Sequence, residues 1–115
     1  MYISVPLFTD MAKLPKNQAR LLSEIVLNID PMTNVGFISY ERLTASQAQR
    51  VREDARQLVK LDYIRKFPIT RASVSMKTLR IAHSNCITFY MLNPIHAHSL
   101  TASTEGLKEI WQLLK

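Results

Sequence analysis

Three stretches of the chain repeat apolar residues at helical spacing, and short runs rich in β-branched and aromatic residues separate them. Leu22, Ile25, Val26 and Ile29 form the first stripe. Ala48, Val51, Ala55, Leu58 and Val59 form the second, and Leu107, Ile110, Trp111 and Leu114 the third. Apolar residues three and four apart fall on one helix face, so each stretch predicts a helix that buries one side. Between them, "VGFIS", "YIRKFPI", "TLRIA" and "CITFYML" read as strands. Only Gly36 and Gly106 are glycine, too few for the many tight turns of a barrel or sandwich. The pattern predicts an α+β fold, mostly helical, with a small antiparallel β-hairpin. At 115 residues the chain suits a single domain, 1–115, around one core.

The order along the chain sharpens this. "YISV" reads as a short extended piece, and "PLFTDMAKL" as a short helix with Pro6 in its first turn. "PKNQARLLSEIVLNID" reads as a longer helix ended by Pro31, and "PMTN" as a turn before the strand "VGFIS". Ser39 is placed to cap a very short helix, "YERLT". A longer helix follows within "SQAQRVREDARQLVKL". Two capping boxes fit its start, Thr44 with Gln47 and Ser46 with Gln49. Asp62 suits its end, because Asp tolerates the left-handed region. "TRASVSMK" is a polar, basic loop, "NP" at 93–94 stops the last strand, and "IHAHSLTAS" reads as a linker before the final helix. Two helices joined by a tight turn and followed by a hairpin make a winged helix-turn-helix. The motif falls at about 39–61, the wing at about 62–92 and the C-terminal helix at about 103–114.

Charge is distributed unevenly. Residues 41–80 hold ten Lys and Arg against four Asp and Glu, or 10 − 4 = +6, while the remainder has 5 − 5 = 0. All of the net charge of +6 therefore lies in one central segment. Such a segment marks the footprint of a polyanion, although a solvated helix face also carries charge. If the apolar stripe of the central helix packs inward, its outer face carries Ser46, Gln49, Arg50, Glu53, Arg56, Gln57 and Lys60, with Arg52 at the edge. Arg reads guanine and Gln reads adenine in the major groove, and the N-terminal part of a recognition helix does the reading. Ser46, Gln47, Gln49, Arg50 and Glu53 are the expected base contacts; Glu53 is equally able to pair with Arg50 or Arg56. Arg42, Arg52, Arg56, Arg65, Lys66, Arg71, Lys77 and Arg80 are the expected backbone or wing contacts. Thr70, Ser73, Ser75 and Thr78 stand among the wing cations as sugar and phosphate ligands.

The sequence resembles the winged-helix replication proteins of Gram-positive plasmids, the RepL type. "LPKNQARLLSEIVLNID" looks like the first long helix of that family, "GFIS" like the strand before its helix-turn-helix, and "VREDARQLVKLDYIRK" like its recognition helix running into a strand. "FYMLNP" is similar to the strand that closes the wing and is the most specific of these matches. The chain departs from the family pattern at "YERLTAS", which is short, at Asp62, where glycine is common, at Asp54, where a small apolar residue is common, and in its long wing, 67–82. The resemblance implies sequence-specific binding of double-stranded DNA in plasmid replication initiation or its control. The same fold serves transcriptional repressors and, in another class, protein-interaction modules.

Other chemistries find little in the chain. No Ser-His-Asp set, Walker-type pattern or glycine-rich loop occurs, so no catalysis and no cofactor is expected. His83, His96 and His98 lack Cys or carboxylate neighbours in sequence, so no metal site is expected. Cys86 is the only cysteine and reads as a small half-buried thiol. No apolar run approaches the ~20 residues a membrane span needs. The N-terminus lacks the pattern of a signal peptide, so a cytoplasmic setting is expected. A homodimer is expected if the DNA target is two-fold, through the N-terminal segment or through Leu107, Ile110, Trp111 and Leu114.

Overall fold

The computed structural model describes residues 2–3, 5–30, 32–68, 87–98 and 104–114. In chain order the elements are β1 (Tyr2–Ile3), α1 (Val5–Lys13), α2 (Lys16–Leu27), β2 (Val35–Ser39), α3 (Ala45–Lys60), β3 (Ile64–Lys66), β4 (Ile87–Leu92), β5 (Ala97–His98) and α4 (Thr104–Leu113). β2, β4 and β3 form a three-stranded antiparallel sheet with β4 in the middle. The fold is α+β, with four helices among the described residues.

Alternation along β4 sorts the core into two halves. Side chains along a strand point to opposite faces in turn. Tyr90 and Leu92 join Ile38 and Ile64 against α2 and α3, where they meet Leu21, Leu22, Ile25, Ala55, Leu58 and Tyr63. Ile87, Phe89 and Met91 face the other way and pack with Val35, Phe67, Leu107, Trp111 and Leu114. The sheet is therefore the middle of three layers, with α2 and α3 on one side and α4 on the other. Gly36 of β2 lies where α2 comes closest. A Cβ there would stand 2.5 Å from the Ile25 carbonyl oxygen, so only glycine admits this approach.

The end of α2 follows from the same contact. The helix stops at Leu27, short of Pro31, because the Asn28 side chain joins β2 instead. Its Nδ2 donates to the Phe37 carbonyl and its Oδ1 accepts from the Phe37 N–H, both at 2.8 Å. Ile29 still packs against the core from outside the helix. A turn then leads into β2: the Met32 N–H donates to Asp30 Oδ1, and Asn34 takes the left-handed conformation, φ 61°.

Thr44 decides the start of α3. Its hydroxyl accepts from the Gln47 N–H at 3.2 Å, and Gln47 Oε1 accepts from the Thr44 N–H at 3.0 Å, a complete capping box. The short helix expected at "YERLT" is replaced by a turn, closed by the Leu43 N–H on the Tyr40 carbonyl. With α3 capped at Thr44, the residues left after β2 are too few to nucleate a helix of their own. At the other end Asp62 adopts φ 66°, the Tyr63 N–H reaches the Leu58 carbonyl and the Asp62 N–H the Val59 carbonyl. This is a Schellman motif, with Tyr63 and Leu58 buried together as its apolar contact. Buried Asn93 ties that turn to the end of β4: its Nδ2 donates to the Asp62 carbonyl and its N–H to the Tyr63 carbonyl. Thus the Asn-Pro pair after "FYML" anchors the end of α3 as well as stopping a strand.

The stretch at 95–103, expected to be a linker, supplies β5, which pairs antiparallel with β1 so that Tyr2 stands opposite His98. The expected strand at 78–82 and basic loop at 70–77 lie outside the described residues.

Candidate nucleic-acid interface

α3 turns its small apolar residues inward: Ala48, Ala55 and Leu58 are buried and Val51 is half-buried. Val59, placed in the stripe by its spacing, lies at the stripe's edge and is 37% exposed. Ser46, Gln47, Gln49, Arg50, Arg52, Glu53, Arg56, Gln57 and Lys60 are all exposed. Arg42 is exposed in the turn before the helix, and Lys66 is exposed at the end of β3. One continuous helix thus carries most of the expected contacts, held by a cap at each end.

The residues on this face are not equally free. Gln47 commits its side-chain oxygen to the capping box. Glu53 accepts from Gln49 at 3.4 Å and pairs with Arg56 at 3.3 Å, which matches the pairing alternative drawn from its spacing. Both partners of that ion pair are well exposed, so it contributes little stability. Arg50 lines a cleft of about 270 Å³ between α2 and α3, together with Arg20, Glu24, Gln47 and Asp54. Two acids there offset two arginines. Arg52 lies over the ring of Tyr40, 5.0 Å from its centroid.

Arg65 has a different role from the backbone contact expected of it. It points to the α4 side of the sheet, where its guanidinium stacks over Trp111 at 4.3 Å. Its Nη1 donates to the carbonyls of Trp111 (2.6 Å) and Leu114 (2.9 Å), and its Nη2 pairs with Asp62 at 3.2 Å. A cation at the C-terminal end of a helix satisfies carbonyls that have no partner within the helix. Arg65 therefore fastens α4 to the sheet. The C-terminal stripe expected as a dimer seam is also occupied within the chain: Leu107, Trp111 and Leu114 are buried against the sheet, and Ile110 packs beside them. Arg71, Lys77 and Arg80, with Cys86 and His83, lie outside the described residues.

A second concavity opens between α3 and the sheet. It measures about 320 Å³ and is lined by Tyr40, Arg52, Arg56, Val59, Lys66, Thr88 and Tyr90. Register explains the meeting. Lys66 stands opposite Tyr90, so the two share a face, and Thr88 lies two residues along the same face. Tyr40 follows β2 directly. Burial pushes the Tyr90 phenol far above its ordinary value, the hydrogen bond with Tyr40 adds to this, and Arg52 and Arg56 act against it. Tyr40, Thr88 and Tyr90 escaped the sequence reading. The short helix expected at "YERLT" takes in Tyr40, and the faces of β4 become assignable only once its partners are known.

Among the described residues no three His, Cys, Asp or Glu side chains come together as metal ligands, and no helix is long and apolar enough to cross a membrane. His96 packs its ring against Tyr63, with centroids 5.3 Å apart. In comparisons with known proteins, no family model, no curated protein and no solved structure matches the chain.

Proposed function

We propose that the chain binds double-stranded DNA, with the outer face of α3 in the major groove. What carries this reading is the exposed row Ser46, Gln49, Arg50, Glu53 and Arg56 on a helix that turns Ala48, Val51, Ala55 and Leu58 inward. A protein-docking helix would instead expose an apolar patch there. The groove admits one α-helix, and Arg and Gln are the side chains that discriminate base edges. Ser46, Gln49 and Arg50 are the readers; Arg42, Arg52, Arg56 and Lys66 supply backbone contacts, and Arg65 is withdrawn from that set. Arg42, Arg52, Arg56 and Lys66, with Arg71, Lys77 and Arg80 of the same segment, give affinity that does not depend on sequence.

The winged helix-turn-helix architecture and a role in plasmid replication initiation or its control rest on the resemblance of "FYMLNP" and the α3 region to the RepL-type proteins. A transcriptional repressor would use the same face. The discriminating test is selection of a preferred duplex from a random pool, followed by titration of Gln49→Ala and Arg50→Ala. Readers lose about 1–3 kcal/mol on the selected site and little on random DNA. Equal losses on both would make them backbone contacts only. For a two-fold target the protein binds as a dimer, and light scattering on the DNA complex gives its stoichiometry.

A further inference from the structure

The concavity between α3 and the sheet differs in kind from the cleft between α2 and α3. The cleft balances Arg20 and Arg50 with Glu24 and Asp54. The concavity gathers Arg52, Arg56 and Lys66, and none of the described residues lining it is acidic. Arg52 and Arg56 are four apart on α3 and so share a helix face, while Lys66 reaches the same space from β3. Thr88, Tyr40 and Tyr90 add hydroxyls. Tyr90 is only 8% exposed and stays a neutral phenol, a donor that does not repel an anion. Among the described residues Arg56 is otherwise held by a solvent-exposed ion pair with Glu53, which an incoming anion displaces at small cost. Cations in a fork geometry beside neutral donors are the chemistry that recognises phosphate oxygens.

We propose that this concavity binds a phosphate group, carried either by the backbone of bound DNA or by a free nucleotide. The DNA source rests on the function proposed above; the nucleotide source does not. Arg52 and Arg56 hold two oxygens of the group, Lys66 acts as a point charge, and the Tyr40 hydroxyl, which accepts from Tyr90, donates its own proton.

The test uses the full chain without DNA, titrated with inorganic phosphate and then ATP and followed by heteronuclear NMR. Saturable shifts at Arg52, Arg56, Lys66, Thr88 and Tyr90 are expected. Arg56→Gln, which leaves the buried core untouched, weakens them about tenfold. Tyr90→Phe weakens them while keeping the aromatic ring in place, and Lys16→Gln on α2 leaves them unchanged. A salt series on duplex DNA separates the sources. A log–log slope shallower by roughly 0.9 in Arg56→Gln identifies a backbone phosphate. An unchanged slope with lost ATP shifts identifies the nucleotide. Saturable ATP shifts in a protein that binds no DNA uphold the pocket and remove the DNA function. The absence of saturable shifts, with a DNA slope unaffected by Arg52→Gln and Arg56→Gln together, overturns the pocket and the backbone roles of these two arginines, and leaves DNA binding through the other exposed cations standing.

Discussion

On the sheet face turned to α4, Arg65 lies over Trp111 and hydrogen-bonds the carbonyls of Trp111 and Leu114; its side chain is 26% exposed. On the face turned to α3, Arg56 has one ion pair within its own helix and is 69% exposed. The two faces use one residue type for opposite ends. The α4 face is closed: Phe89, Met91, Leu107 and Trp111 fill it, and its arginine is spent on helix carbonyls. The α3 face is closed only at its centre, by Leu22, Ile25, Leu58 and Leu92. Toward its rim it opens into a space walled by cations and hydroxyls. Partner supply is what separates a structural arginine from an available one. A guanidinium offers five N–H donors, and those without a protein acceptor are left to water or to a ligand.

The contrast can be broken at its core first. Phe89→Ala removes a ring that is 1% exposed, and thermal or urea unfolding is expected to show a loss of about 3–5 kcal/mol. A loss below about 1 kcal/mol would mean that the α4 face is not packed as described. Gly36→Ala forces a Cβ onto the Ile25 carbonyl on the other face and is expected to cost about 1–3 kcal/mol by the same assay. Arg65→Ala removes the guanidinium from the Trp111 and Leu114 carbonyls and is expected to cost about 1–3 kcal/mol, with amide exchange in α4 accelerated and DNA affinity nearly unchanged. A larger effect on DNA than on exchange would return Arg65 to the binding surface. Thr44→Ala removes one half of the α3 capping box and is expected to lower stability by about 1 kcal/mol, whereas Ser46→Ala leaves stability nearly unchanged.

Titration sharpens the same comparison. Burial raises the Tyr63 and Tyr90 phenols above their ordinary value of 10.0 in the folded chain. The folded state therefore holds these protons more tightly than the unfolded chain. The stability linked to them is complete below pH 10.0 and falls as pH rises past it. Tyr90→Phe is expected to shallow that alkaline decline in equilibrium unfolding. An unchanged decline would mean that Tyr90 ionises freely.

Much of this was legible in local pattern. Leu22 and Ile25, Ala55 and Leu58, and Leu107 and Trp111 announced three helices because burial selects residues three and four apart. Val35–Ser39 and Ile87–Leu92 were legible as strands, and Asp62 as the left-handed residue after α3. What escaped depends on contacts distant in sequence. The early end of α2 needs the Asn28 amide on Phe37, nine residues on. The use of Arg65 needs carbonyls 46 and 49 residues on. Composition could not tell Arg65 from Arg56, since both stand in the same basic segment. The concavity beside α3 needed Tyr40 and Thr88 to be brought beside Arg52, and no spacing encodes that. β1 falls within the extended piece read at "YISV", whereas its partner β5, from the other end of the chain, falls within a stretch read as a linker.

The central claim is that the cations exposed around α3 serve a polyanion and that Arg65 does not. Fluorescence anisotropy of a random-sequence duplex across a salt series tests it directly, with the wild type, Arg42→Ala/Arg52→Ala and Arg65→Ala compared at temperatures where all are folded. Each phosphate contact contributes roughly −0.9 to the log–log slope, so the wild type is expected to be steeper than about −3. The double variant should be shallower by roughly 1.8, and Arg65→Ala should match the wild type. Absence of binding at low salt, or a slope lowered by Arg65→Ala and untouched by the double variant, would contradict it.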